Sequence, residues 1–298
     1  MSDSLDVLLA GALRWVRGNS GYLDSDSGRA ELPAMPRVKA ILQLALLHYH
    51  WARIWPADEG RAGVTAFIDG MWQRPGFARL IAEDRRFAQT FGMMYAALVP
   101  AGSNRGVRES MLAKLAADGF LSPEGKSPYD CLATRYYADL AGVSHGFAPY
   151  LELYRSSPLG SRAALERPLE LDVCNVTHTI FYLSHFGFRD SGLDYHGKNR
   201  ALGILRTLTE NCVAKDEWDL TGKLMLAQYC LGGDPLGTAL GNEALGMIGQ
   251  AQVPSGAIPG RSSAQRVPES ASALEFFRKS YQTTVTMALM SLIMSPPG

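Results

Sequence analysis

Asp172-Val-Cys-Asn-Val-Thr-His-Thr-Ile-Phe-Tyr-Leu-Ser-His-Phe-Gly187 contains no helix breaker before its last residue and predicts one continuous helix. Val173, Val176, Ile180, Phe181 and Leu183 supply apolar positions for burial. Asn175, His178, Tyr182 and His185 follow at intervals of three, four and three residues. That spacing stacks them on one face, about one turn apart. A mostly buried helix with a polar stripe must give the stripe partners, because unpaired buried polar groups cost free energy. Either a neighbouring helix bonds these side chains or they line a cavity.

The flanking sequence favours a ring of helices. Periodicity predicts helices over Leu5–Arg17, Pro36–Trp55, Ala62–Trp72, Phe77–Ala82, Asp84–Leu98, Val107–Asp118, Asp130–Gly142, Ala148–Arg155, Lys198–Val213, Trp218–Leu231, Leu236–Ile248 and Ser270–Met294. No segment alternates apolar and polar residues convincingly, so the expected class is all-α. The more apolar helices begin near Pro36, Asp84, Asp130, Asp172, Trp218 and Ser270, roughly 40 to 55 residues apart, close to helical-repeat periods. A more amphipathic helix lies between each pair. Buried helices paired with half-exposed ones predict a single domain over residues 1–298, an (α/α)6 toroid of helical hairpins. An open array would carry a polar last cap, whereas this chain ends on a very apolar helix.

The bulk numbers exclude several partner classes. The chain has 298 residues and is 47% hydrophobic, enough for a large core. Lys+Arg and Asp+Glu both count 29, which argues against nucleic acid or an anionic membrane as partner. The apolar runs fall short of the roughly 18 residues of a membrane span. The acidic start Met1-Ser-Asp-Ser-Leu-Asp6 lacks the basic region of a signal peptide, so a cytoplasmic location is expected. Cys131, Cys174, Cys212 and Cys230 are widely separated and read as buried reduced thiols. A homodimer stays open.

In a closed ring, the inner helices surround a cavity, so their polar residues are the site candidates. His178 titrates near neutrality and can take or give a proton. Tyr182, one turn on, can orient an oxygen or donate, and Asn175, one turn back, can hold a carbonyl. Asp130, Asp172 or Asp219 can orient the imidazole, and Tyr137, Trp51 and Tyr281 can shape the cavity. The competing reading of His178 is a core histidine bonded to a neighbouring helix. Cys174, four residues before His178, is a conceivable nucleophile but more simply an inert thiol. No metal is expected: His178 and His185 lie two turns apart, and aspartate-rich diphosphate motifs are missing. Asp216, Glu217 and Asp219 read as first-turn acids favoured by the helix dipole. The loop 249–268 is too long for a simple connector and reads as a lid, a rim or a plain surface excursion.

Val176-Thr-His-Thr-Ile-Phe-Tyr-Leu-Ser-His-Phe-Gly187, Trp218-Asp-Leu-Thr-Gly-Lys-Leu224 and Phe276-Phe-Arg-Lys-Ser-Tyr-Gln-Thr-Thr-Val285 resemble a family of actinobacterial proteins from natural-product pathways. Its pattern is approximately T-H-T-x-F-Y-L-T-D-F-G, then W-D-L, then Y-H-T-T. The resemblance implies an (α/α)6 barrel and, from some relatives, cyclisation of polyketide-derived substrates by dehydration and conjugate addition. It implies roles for Thr177, His178 and Tyr182. The chain departs from the pattern at Ser184-His185, in place of T-D, and at Gln282, in place of the histidine.

The expected protein is a cofactor-independent cyclase, lyase or isomerase acting on an apolar small molecule. His178, Tyr182 and Asp172 are its expected catalytic residues. Asn175, Asp130, Tyr137, Trp51, Asp219 and Tyr281 are its expected substrate-binding residues. The alternatives are a non-catalytic binding protein with the same cavity, or a terpenoid- or glycan-processing toroid enzyme.

Overall fold

The structure, a computed structural model, describes residues 2–24, 32–84, 86–100, 105–261 and 271–295. Among these there is no strand, and fourteen α-helices carry the fold. They are α1 (Ser2–Asn19), α2 (Ala34–Ile54), α3 (Ala62–Gln73), α4 (Pro75–Glu83), α5 (Ala88–Leu98), α6 (Arg105–Ala117) and α7 (Pro128–Ala141). There follow α8 (Tyr150–Ser156), α9 (Ala163–Glu166), α10 (Val173–Ser184), α11 (Tyr195–Ala214), α12 (Trp218–Cys230), α13 (Ala239–Ala251) and α14 (Ala273–Met294).

Local chemistry sets where the helices begin. Ser127, Asp172, Asp194, Thr238 and Ser272 each accept a backbone N–H from three residues on, in the N-cap geometry that satisfies otherwise orphaned donors. The expected elements are present, with ends displaced by a few residues. The most consequential displacement is at α10, which stops at Ser184 rather than running to Gly187. His185, Phe186 and Gly187 all take left-handed backbone, with φ of 49°, 56° and 86°. Two of the three are not glycine, an uncommon conformation for such residues. The turn is held by Phe186 N–H on Phe181 O and Arg189 N–H on Ser184 O. The Arg189 guanidinium also donates to the carbonyls of Tyr182 and Leu183. Those are end-of-helix acceptors that would otherwise be unpaired.

Six helices follow one another in contact. α2 packs on α5, α5 on α7, α7 on α10, α10 on α12 and α12 on α14, and α14 packs back on α2. The others lie against them: α1 on α14, α4 on α2 and α5, α6 on α5, α8 on α7, and α11 and α13 on α12. Three side-chain pairs between successive members of the six share one sequence offset. Tyr129 meets His178, Tyr136 meets His185, and Cys174 meets Lys223, each pair 49 residues apart. The first two pairs sit two turns apart with the same offset, so α7 and α10 run parallel and in register. The intervening segment returns the chain to its starting end each time.

Two expectations change here. Residues 262–268 of the long loop lie outside the described residues, but the part up to Arg261 is no free lid. Ala257 and Ile258 are fully buried. Ile258 N–H donates to Thr284 Oγ1, and Trp218 Nε1–H donates to Pro259 O. Gly256 takes φ +94°, and a Cβ there would lie 2.1 Å from the Gly11 carbonyl oxygen, so only glycine fits between loop and α1. All four cysteines are free, but Cys174 is half-buried rather than buried like the other three. No described helix is long and apolar enough to cross a membrane.

Candidate functional site

The expected stripe on α10 splits into two environments. His178 is half-buried, and its Nδ1 lies 3.1 Å from the Tyr129 hydroxyl of α7. Its ring stacks on Tyr182 at 5.9 Å between centroids. Tyr182 is buried and packs 4.9 Å from Tyr136 and 5.9 Å from Tyr137. The rings of Tyr129 and Tyr137 flank Tyr182 at 6.5 Å and 5.9 Å between centroids. Burial, the first cause in each case, pushes all three phenols up, so they stay protonated at neutral pH. Beyond Tyr182, Tyr136 hydrogen-bonds His185, so a column of rings runs from His178 to the far ends of the helices.

The charge around His178 comes from its neighbours across the ring of contacts. Lys223 of α12 places Nζ 3.5 Å from Cys174 Sγ, one turn before His178. Burial first, then the Lys223 charge, lower His178 to about 4; Lys39 of α2 lowers it further, and Asp172 opposes them. At neutral pH the imidazole is therefore uncharged and able to accept a proton. Lys39 is itself lowered, by desolvation and then by Lys223. Among the described residues Nε2 of His178 makes no hydrogen bond.

Two cavities adjoin these lysines. One, of about 730 Å³, is lined by Asp219, Lys223, Glu275, Arg278 and Gln282 among others. The second, of about 790 Å³, is lined by Lys39, Gln43, Asp130, Tyr281, Arg278 and Gln282 among others. Arg278 and Gln282 border both. Lys39, Asp130 and Asp219 sit within the first turns of their helices, so the cavities open at the amino-terminal ends of α2, α7, α12 and α14.

The remaining expected residues divide between site and scaffold. Asp130, Asp219 and Tyr281 line the cavities, although Tyr281 is buried and its hydroxyl donates to Ala40 O. Asp130 also accepts from the Ser127 hydroxyl and donates its N–H back to Ser127 Oγ, so it helps cap α7. Tyr137 is buried beside Tyr182. Asp172 is the N-cap of α10, accepting Asn175 N–H at 2.7 Å, and acts on His178 through charge. Asn175 is exposed at the helix start. Trp51 lines neither of these two cavities: it is buried, and its Nε1–H donates to Asp58 Oδ2 at 2.8 Å, tying the end of α2 to the next loop. Thr177 is fully buried and its hydroxyl donates to its own helix at Val173 O, the usual back-bond of a helical threonine.

Sequence reasoning missed Tyr129, Lys223 and Lys39. A signal for the first was present: Tyr129 and Tyr136 are seven apart on α7, matching His178 on α10 and His185 just past its end. Among the described residues no cluster of three His, Cys, Asp or Glu side chains can hold a metal ion.

These features define an all-helical protein in which a half-buried histidine stacked on a buried tyrosine lies in the field of two lysines, each of which borders a cavity. The chain belongs to the family DUF6895, a domain of unknown function, whose model matches residues 9–292. No curated protein and no solved structure matches it.

Proposed function

We propose that this chain is a cofactor-independent cyclase built on an (α/α)6 toroid, acting on a polyketide-derived or similar natural-product intermediate. The toroid reading rests on the succession of six packed helices whose last member contacts the first. The chemical reading rests on one observation: a neutral His178 whose Nδ1 is bonded to Tyr129 while Nε2 is left unpaired.

In this reading the Tyr129 oxygen accepts Nδ1–H and fixes the tautomer, which leaves the Nε2 lone pair as general base. Nε2 removes a proton next to a carbonyl, and the resulting imidazolium returns it to a departing hydroxyl, which leaves as water. A second hydroxyl of the same molecule then adds to the new double bond and closes the ring. Lys39 and Lys223 hold an anionic or enolate oxygen. Negative charge there offsets the two ammonium groups, raises the His178 pKa and strengthens the base when substrate is present. Tyr182 steadies Tyr129 from behind, and Asp130, Asp219 and Tyr281 contact the substrate from the cavity walls. A cytoplasmic location follows from the same reading.

The test begins with deletion of the gene in its host and identification of the metabolite that accumulates. Purified protein is expected to convert that metabolite, and His178→Ala to lose about 100-fold or more in kcat. Full turnover by His178→Ala removes the mechanism. Tight binding without conversion by the unaltered protein replaces the cyclase with a binding protein.

A further inference from the structure

A third cavity, of about 1100 Å³, lies open at the other ends of the same helices, bordered by Tyr49 and Arg53 of α2 and by Arg105, Arg108 and Glu109 of α6. Its apolar wall includes Ala52, Ala97, Val99 and Leu140. These residues lie at the carboxy-terminal ends of α2, α5 and α7, where basic side chains ordinarily compensate unpaired carbonyls and the helix dipole. Arg108 does so, donating to Ala96 O and Ala141 O. Arg105 is neutralised by Glu109 at 2.7 Å.

Arg53 does neither. Its Nη1 donates to His185 Nε2 at 2.8 Å, and its guanidinium lies 4.4 Å over the Phe188 ring. Among the described residues no carboxylate pairs with it. An imidazole and an aromatic ring hold it in place without cancelling its charge. His185 is oriented in turn: Nε2 accepts from Arg53, so Nδ1–H donates to the Tyr136 hydroxyl at 3.1 Å. The Tyr49 hydroxyl stands 3.4 Å from the same Nε2. The left-handed turn at His185 and Phe186 brings the imidazole to this point. Beside it, His50 is fully buried with neither ring nitrogen bonded, 5.9 Å from His185 and stacked on Phe188. A fixed, unneutralised guanidinium, a phenol and an apolar wall together recognise an anionic head on an apolar body.

The geometry points to a second small-molecule site at this end, in which Arg53 and Tyr49 bind the carboxylate of an aliphatic acid whose chain lies along Ala52, Ala97, Val99 and Leu140. One uncommitted guanidinium edge matches one carboxylate, which is why the head group is a carboxylate rather than a more highly charged phosphate. The site lies at the opposite helix ends from His178 and stands whether or not the cyclase reading holds.

Octanoate titrated into the full chain, followed by calorimetry and by the His185 imidazole resonances, tests it. Saturable one-to-one binding with movement of those resonances is expected. Arg53→Gln is expected to weaken binding about tenfold or more, the loss of a charge-assisted hydrogen bond. Ala52→Leu, which narrows the cavity without altering charge, is expected to weaken it as well, and His178→Gln to leave it unchanged. No binding of octanoate, equal binding of octanol, unaltered binding by Arg53→Gln, or loss of binding in His178→Gln would each overturn the assignment.

Discussion

Replacing His178 with Gln removes a group whose protonation opposes folding, and the effect has a calculable size. The fold holds this imidazole at about 4, against an ordinary histidine value of 6.5. Above about pH 6.5 neither the folded nor the unfolded chain protonates it, and the group contributes no pH dependence. As pH falls below that value the unfolded chain binds the proton and the folded chain does not, so stability declines. The decline ends near the folded value, below which both states are protonated. Between about pH 7 and about pH 4.5 this single group costs about 2.5 kcal/mol of folding stability. His48 and His185 are also lowered to about 4, so the whole protein is expected to be acid-sensitive in the same window. The difference between unaltered protein and His178→Gln isolates the contribution of His178. Urea unfolding at the two pH values provides the measurement, and His178→Gln is expected to lose about 2.5 kcal/mol less than the unaltered chain. Equal losses in both proteins, or an imidazole resonance of His178 that titrates near 6.5, would refute the burial-and-lysine account of this site.

Lys223→Met removes the second-largest cause of the depression, so the His178 pKa is expected to rise, as read by NMR titration; no change would mean that burial alone sets it. Asp172→Ala is expected to cost about 1 kcal/mol by loss of the α10 cap. Asp172→Asn should restore the cap, and by removing a negative charge should lower His178 slightly further. If both Asp172 variants lose stability equally, the carboxylate does more than cap.

The expectation at Trp51 shows where reasoning from pattern stops. An aromatic near the end of an inner helix can face a cavity or the packing between layers, and both give the same spacing. Asp58, seven residues on beyond Pro56, decides between them by accepting the indole N–H. Asp172 is similar. An acid at the first position before an apolar run is the usual helix cap, and the cap is what its hydrogen bond serves. His185, which departs from the pattern the chain resembles, is held by three side chains from α2 and α7.

By itself the sequence determined the helical class, the positions of most helices, the six more apolar ones and the face that carries His178 and Tyr182. These follow from local periodicity, capping residues and breakers, all of which act within a few turns of chain. Only the tertiary structure decided which partners those side chains meet. Tyr129 reaches His178 and Lys223 reaches Cys174 across 49 residues each, through the register of neighbouring helices. Arg53 reaches His185 across 132 residues. Such pairings depend on how helices stack, and nothing within one turn of any of these residues encodes them. The polar stripe on α10 thus became two separate environments, because the helix ends at Ser184 and the backbone reverses its hand at His185.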